Sequence, residues 1–130
     1  RPDPRAAEAY RRSLEGWRHL QRGELDPAAE ALSRAAALNP ADPVLRYRLG
    51  RLHLALHQRD EALVQFERAI AARPAAPPAL LAAALLEAAR LIESRGDGER
   101  ALSLYKRAAA LRGAEPDTRR AAARAVSRLQ

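Results

Sequence analysis

RDEALVQFERAIAARP, residues 59–74, lies 34 positions after LDPAAEALSRAAALNP, residues 25–40. Laid over one another, Ala28 falls on Ala62, Leu32 on Phe66, Ala35 on Ala69 and Pro40 on Pro74. Steps of four and three residues put the small, large and small side chains on one face of a helix. Small residues let two helix backbones approach closely, and the large one fills the space between them. The same pattern twice therefore predicts one helix-packing solution used twice.

The period extends outward. Gly16 recurs as Gly50, His19 as His53 and Leu20 as Leu54. Ala101, Tyr105 and Ala108 repeat Ala62, Phe66 and Ala69 at an offset of 39, so five extra residues have entered between the second and third copies. AAPPALL, residues 75–81, is the expected place, lengthening the linker, the following helix or both.

Helix boundaries are legible. Asp3-Pro4, Asp26-Pro27 and Asp42-Pro43 each pair an N-cap acceptor with proline, whose missing N–H costs nothing at the first helical position. Asp60 is expected to open a fourth helix without proline, while Gly23, Asn39-Pro40 and Arg73-Pro74 mark stops. The predicted helices run over about 4–22, 27–38, 43–57, 61–72, 78–95, 98–111 and 116–129. Short links between them predict antiparallel neighbours. Composition agrees: the chain is 48% hydrophobic but only 4% aromatic, with alanine and leucine dominant and β-branched residues scarce. The expected class is all-α.

Other features bound function by exclusion. The absence of Cys excludes disulfides, thiolate metal sites and cysteine catalysis. The absence of Met, even at residue 1, is the expectation for a processed form or a piece of a longer protein. No signal-peptide pattern is present, and PALLAAALLEAARLI is broken by Glu87 and Arg90 and too short to cross a bilayer. A soluble protein, cytoplasmic or periplasmic, is expected. The formal net charge is +7, carried by arginine with Lys106 as the sole lysine. Arginine in place of lysine fits a GC-rich, bacterial genome, whereas the excess of positive charge points to an acidic partner.

These positions resemble the tetratricopeptide repeat family, whose unit is a helix–turn–helix of 34 residues. Its second-helix Ala-Phe-Ala-Pro signature is matched by Ala28-Leu32-Ala35-Pro40, Ala62-Phe66-Ala69-Pro74 and Ala101-Tyr105-Ala108. Leu49-Gly50, with His53 in the usual tyrosine place, matches the first-helix signature. The resemblance covers residues 9–130 and implies one domain forming a short right-handed superhelix. Repeats are expected at 9–42, 43–76 and 82–115, followed by a capping helix at 116–129. Three departures stand out. His57 replaces the usual inter-helix glycine, although His tolerates positive φ better than most residues. Gly113 replaces the terminal proline of the third copy, and Leu14 and Trp17 are offset from the usual apolar positions. That offset is expected to rotate the first helix or leave it an exposed face.

The resemblance also implies a concave groove, lined by the first helix of each pair, that binds an extended peptide or a partner helix. Matching helix to helix, Trp17, Arg51, Arg90 and Arg124 share one position. One turn earlier lie Tyr10 and Ser13, then Tyr47, Leu86 and Arg120. Forked, always-charged guanidinium groups beside aromatic rings suit an acidic peptide, although arginines at such positions also simply solvate helix faces. The Lys/Asn/Asn/Lys/Arg clamp that some family members close on heat-shock chaperone termini is not carried over, because Ser13, Trp17 and Arg51 occupy its first places.

His53 and His57, four apart, have zinc-compatible spacing but neither the metalloprotease glutamate nor a third ligand. No metal or cofactor is expected. No nucleophile elbow or phosphate loop is present, and RGDGER, residues 95–100, reads as a helix–helix turn. Arginines alternate with acids around most helices, which argues against specific nucleic-acid binding. The expected function is a non-enzymatic module that binds a protein or peptide partner. The alternatives are a self-association scaffold or an accessory domain of a larger protein.

Overall fold

In the computed structural model, which describes residues 3–130, seven helices and no strand are found among the described residues. They are α1 Pro4–Gln21, α2 Leu25–Leu38, α3 Pro43–Ala55, α4 Arg59–Ala71, α5 Pro78–Ser94, α6 Gly98–Ala110 and α7 Pro116–Leu129. Each odd helix packs closely on the even helix that follows it, and α7 closes against α6. The result is three stacked helical hairpins and a final single helix.

Two of the three expected Asp-Pro starts form as caps. The Asp3 carboxylate accepts from the Arg5 N–H at 3.0 Å, and Asp42 accepts from the Val44 N–H at 2.9 Å. Asp26 does not: α2 begins at Leu25 with Glu24 as its N-cap, and Pro27 is its third residue. Proline is tolerated there because the first-turn N–H groups lack intrahelical partners in any case. In the same way α4 starts at Arg59 after Gln58, one residue before Asp60. A paired corner explains both early starts. His19 Nδ1 lies 2.7 Å from a Glu24 oxygen and His53 Nδ1 lies 2.7 Å from Gln58 Oε1. The His19 and His53 carbonyls also accept the backbone N–H of Glu24 and Gln58. These corners place the even helices before the aspartates can act as caps.

Between the two helices of each hairpin one residue adopts the left-handed conformation: Gly23 at φ 75°, His57 at φ 59° and Gly96 at φ 93°. His57 therefore occupies a glycine position with a positive φ, as its place in the repeat predicts. The five inserted residues go into both expected places. α5 has 17 residues against 13 in α3, and the segment that precedes it is longer.

Close approach within the first two hairpins is set by glycine. A Cβ on Gly50 would stand 2.5 Å from Phe66 Cε1, and one on Gly16 would stand 2.7 Å from Leu32 Cγ. Because Gly16 meets Leu32 as Gly50 meets Phe66, α1 is not rotated out of the repeat register. Its offset residues Leu14 and Trp17 are half-exposed instead. Ala28, Ala35, Ala62, Ala69, Ala101 and Ala108 are all at most 1% exposed. The core divides into a small cluster under α1–α3, around Leu32, Leu45 and Leu49, and a larger one from α4 to α7.

Arginine binds successive hairpins together. Arg48 donates to Ser13, Arg51 to Glu87, Arg59 to Ser94, Arg95 to Asp60, Arg100 to Glu67 and Arg128 to Glu93. Partners in these pairs lie 33 to 36 residues apart, close to the repeat period. Six arginines are thus occupied between repeats.

Enlarging a helix-contact alanine tests this packing. Ala62→Leu or Ala69→Leu is expected to destabilise the fold by about 1–3 kcal/mol in urea unfolding, because neither site has room for three more carbons. Neutral substitution at both would contradict the packing.

Candidate functional site

The odd helices α1, α3, α5 and α7 approach in succession, while among the described residues no two even helices come close backbone to backbone, and α4 and α6 are linked through the Arg100–Glu67 pair. Layers packed on one side and splayed on the other curve, so the odd helices form the inner face. Of the candidate residues, Trp17, Arg51, Arg90 and Arg124 form a continuous row along it. Trp17 and Arg51 share a cleft of about 320 Å³ lined by α1 and α3. Arg90 and Arg124 share a larger cleft of about 680 Å³ between α5 and α7. Glu87 joins the two halves: its carboxylate accepts from Arg51 at 2.8 Å and lies 3.6 Å from Arg90.

Glu87 changes the electrostatics of the row. It is mostly shielded from solvent, 15% exposed, whereas Arg51 and Arg90 are 40% and 52% exposed. The guanidinium groups therefore cover their own carboxylate, and the row is less positive than its arginines alone suggest.

Trp17 is also partly occupied. Its ring lies 6.3 Å from that of Tyr47, which in turn lies 5.7 Å from Phe66. Arg48 stacks 5.7 Å from the Trp17 ring centre and donates to the buried Ser13 hydroxyl at 2.7 Å. Burial pulls the Arg48 guanidinium below the usual arginine value. Burial likewise pushes the Tyr47 phenol above the usual tyrosine range. This aromatic–arginine pile fixes α1 against α3 and leaves one edge of Trp17 in the cleft.

Three candidates stand apart from the row. Leu86 is buried in the larger core cluster. It offers no side chain to a groove. Tyr10 is 63% exposed and borders a depression formed by α1 alone. Arg120 is exposed and pairs with Asp117 on its own helix. Of the histidines, His53 is half-buried and engaged by Gln58, while His57 is exposed in the turn.

At the α5–α7 cleft the structure adds a group that sequence reading missed. Glu93 accepts from the Tyr105 hydroxyl at 2.7 Å and pairs with Arg128. Arg128 and the Tyr105 hydroxyl hold the Glu93 carboxyl below the usual carboxylate range. Burial, then the hydrogen bond to Glu93, pushes the Tyr105 phenol up to about 12. Glu87 carried one sequence signal, as an acid interrupting an otherwise apolar helix. The Arg48–Ser13 and Arg128–Glu93 pairs carried only their separations, near the repeat period.

A sequence profile of the tetratricopeptide repeat matches residues 19–86, just over half of the chain. This chain belongs to the tetratricopeptide repeat family. Its structure is similar to that of the N-terminal domain of stress-induced protein-1 from C. elegans, at a TM-score of 0.75 and 14% identity. The match covers 95% of this chain and 98% of that one, and at that identity it establishes shared architecture alone. No protein with a curated description matches the sequence. Tetratricopeptide repeats serve in general as protein-interaction modules, and no helix among the described residues is long and apolar enough to cross a membrane.

The Tyr105 contact gives a testable pH dependence. The folded protein keeps the phenol protonated after the unfolded chain has begun to lose its proton near the ordinary value of about 10. Its contribution to stability is therefore complete below that value and lost as the pH rises through about 12. Tyrosinate absorbance is expected to show a late ionisation step that is missing in Tyr105→Phe. Glu93→Gln should lower it only part-way, because burial is the larger cause. A Tyr105 step in the ordinary tyrosine range would contradict the assigned contact.

Proposed function

We propose that the inner face receives an extended acidic segment of a partner protein, and that the chain acts by binding rather than by catalysis. The observation that carries this reading is the continuity of Trp17, Arg51, Arg90 and Arg124 across two joined clefts. Carboxylates of the segment pair with guanidinium donors not engaged by Glu87, whose bond to Arg51 uses one of five N–H groups. An apolar side chain rests against the exposed edge of Trp17. The arginines that Glu87 does not balance select against basic segments, since a ligand bringing its own negative charge is what balances them.

Titration of the single tryptophan with acidic peptides of about ten residues tests this directly, since Trp17 reports occupancy of its own cleft. Affinity is expected to fall as salt rises, because exposed charges are screened within about 8–10 Å at moderate ionic strength. Arg51→Gln combined with Arg90→Gln should weaken binding by about tenfold or more while leaving helical circular dichroism unchanged. Equal affinity in both proteins, or no Trp17 response to any acidic peptide, would reduce the row to a solvated helix face.

A further inference from the structure

The two clefts along the inner face are not equivalent. Resting on the proposed binding of an acidic segment, the inference here concerns where that segment is anchored and what short pattern it carries. The α1–α3 cleft offers Arg51, already engaged with Glu87 at 2.8 Å. The α5–α7 cleft, at about 680 Å³, falls within the range of small-ligand sites. α7 presents the small residues Ala121 and Ala125 there.

Three guanidinium groups, Arg90, Arg124 and Arg128, border this cavity together with the carboxylate of Glu93. Glu93 is taken up by Arg128 and the Tyr105 hydroxyl. Arg124 has no carboxylate partner among the described residues, and Arg90 has only the 3.6 Å contact with Glu87. Two arginines with spare donors therefore stand on opposite walls, one on α5 and one on α7. The alanines and the Tyr105 ring supply the apolar lining between them.

The geometry points to a site for a three-residue pattern in which two acidic residues flank an apolar one. The carboxylates pair with Arg90 and Arg124, and the central side chain fills the space over Ala121. Each guanidinium can take a carboxylate through two parallel hydrogen bonds, which favours Arg over a point charge at both walls. The occupant is a peptide segment, and its negative charge complements the site's excess of arginine.

The probe is acetyl-Asp-Leu-Asp-amide. Fully extended it spans about 11 Å, too short to reach from this cleft to Trp17 across two helix spacings of about 8–10 Å each. Titration into the full chain with labelled alanine methyls is expected to shift Ala121 and Ala125 saturably. Arg124→Gln should weaken the probe by about tenfold. Ala121→Leu, which fills the cleft without altering charge, should do the same, whereas Arg34→Gln, which removes an exposed charge paired with Glu30 on α2, should leave its affinity unchanged. Acetyl-Asn-Leu-Asn with a free C-terminus is the control. If it binds as well as the diacid, a terminal carboxylate suffices and the paired pattern is wrong. Absence of saturable shifts would also overturn the anchor, and so would unchanged affinity in Arg124→Gln. If longer acidic peptides still quench Trp17 and respond to Arg51 in that case, the groove survives and only the anchor falls. Probe binding without any Trp17 response to longer peptides supports the cleft and confines recognition to it.

Discussion

The first two hairpins depend on a glycine facing a large side chain across a close helix contact, and the third carries Ala89 at the equivalent place. At Gly50 there is no room for even one carbon beside Phe66, and at Gly16 none beside Leu32. Glycine within a helix costs about 1 kcal/mol against alanine. The chain accepts that cost because close approach lets the ring of Phe66 become fully buried, along with Ala62 and Ala69. Hairpin geometry then sets the distance between successive odd helices, and that spacing brings Arg51, Glu87 and Arg90 within reach of one another. Packing inside the repeats and charge on the inner face are therefore linked.

This linkage gives the arginines two roles. Those whose partners lie one repeat away, among them Arg59, Arg95 and Arg100, hold hairpins in register at the solvent edge. Exposed pairs of this kind contribute at most about 1 kcal/mol each, so they adjust a stack already formed by apolar contacts. On the inner face the same residue type is only partly neutralised. The total of 23 Lys+Arg is consequently a poor measure of the charge offered to a partner, because many of these groups are paired within the fold, and the net charge of +7 is what remains.

The hairpin architecture was legible because it repeats. Ala28, Phe66 and Ala101 are local, periodic choices, and each copy corroborates the others. His57 could be assigned a left-handed turn for the same reason. Helix starts were less secure: Asp26 has the composition of a cap, but the His19–Glu24 corner begins α2 before it. The candidate site was legible only as a row of equivalent positions. Register related Trp17, Arg51, Arg90 and Arg124 as equivalent positions, yet it also nominated Leu86, which is buried. It could not reveal that Glu87 sits between two of the arginines or that Arg48 covers Trp17. Such contacts join side chains across repeats and depend on which helix neighbours are present, information that a periodic pattern does not contain.

A double-mutant cycle at Gly50 and Phe66 tests the central constraint most directly. Urea stability is measured for the natural chain, Gly50→Ala, Phe66→Ala and the double variant, all in an osmolyte that keeps the cavity-bearing proteins folded. The close-contact account predicts a change of sign. Gly50→Ala destabilises the natural chain despite the better helix propensity of alanine, and stabilises the Phe66→Ala background by up to about 1 kcal/mol. If Gly50→Ala stabilised both backgrounds equally, glycine would not be setting the helix approach, and the account of the stack would fail.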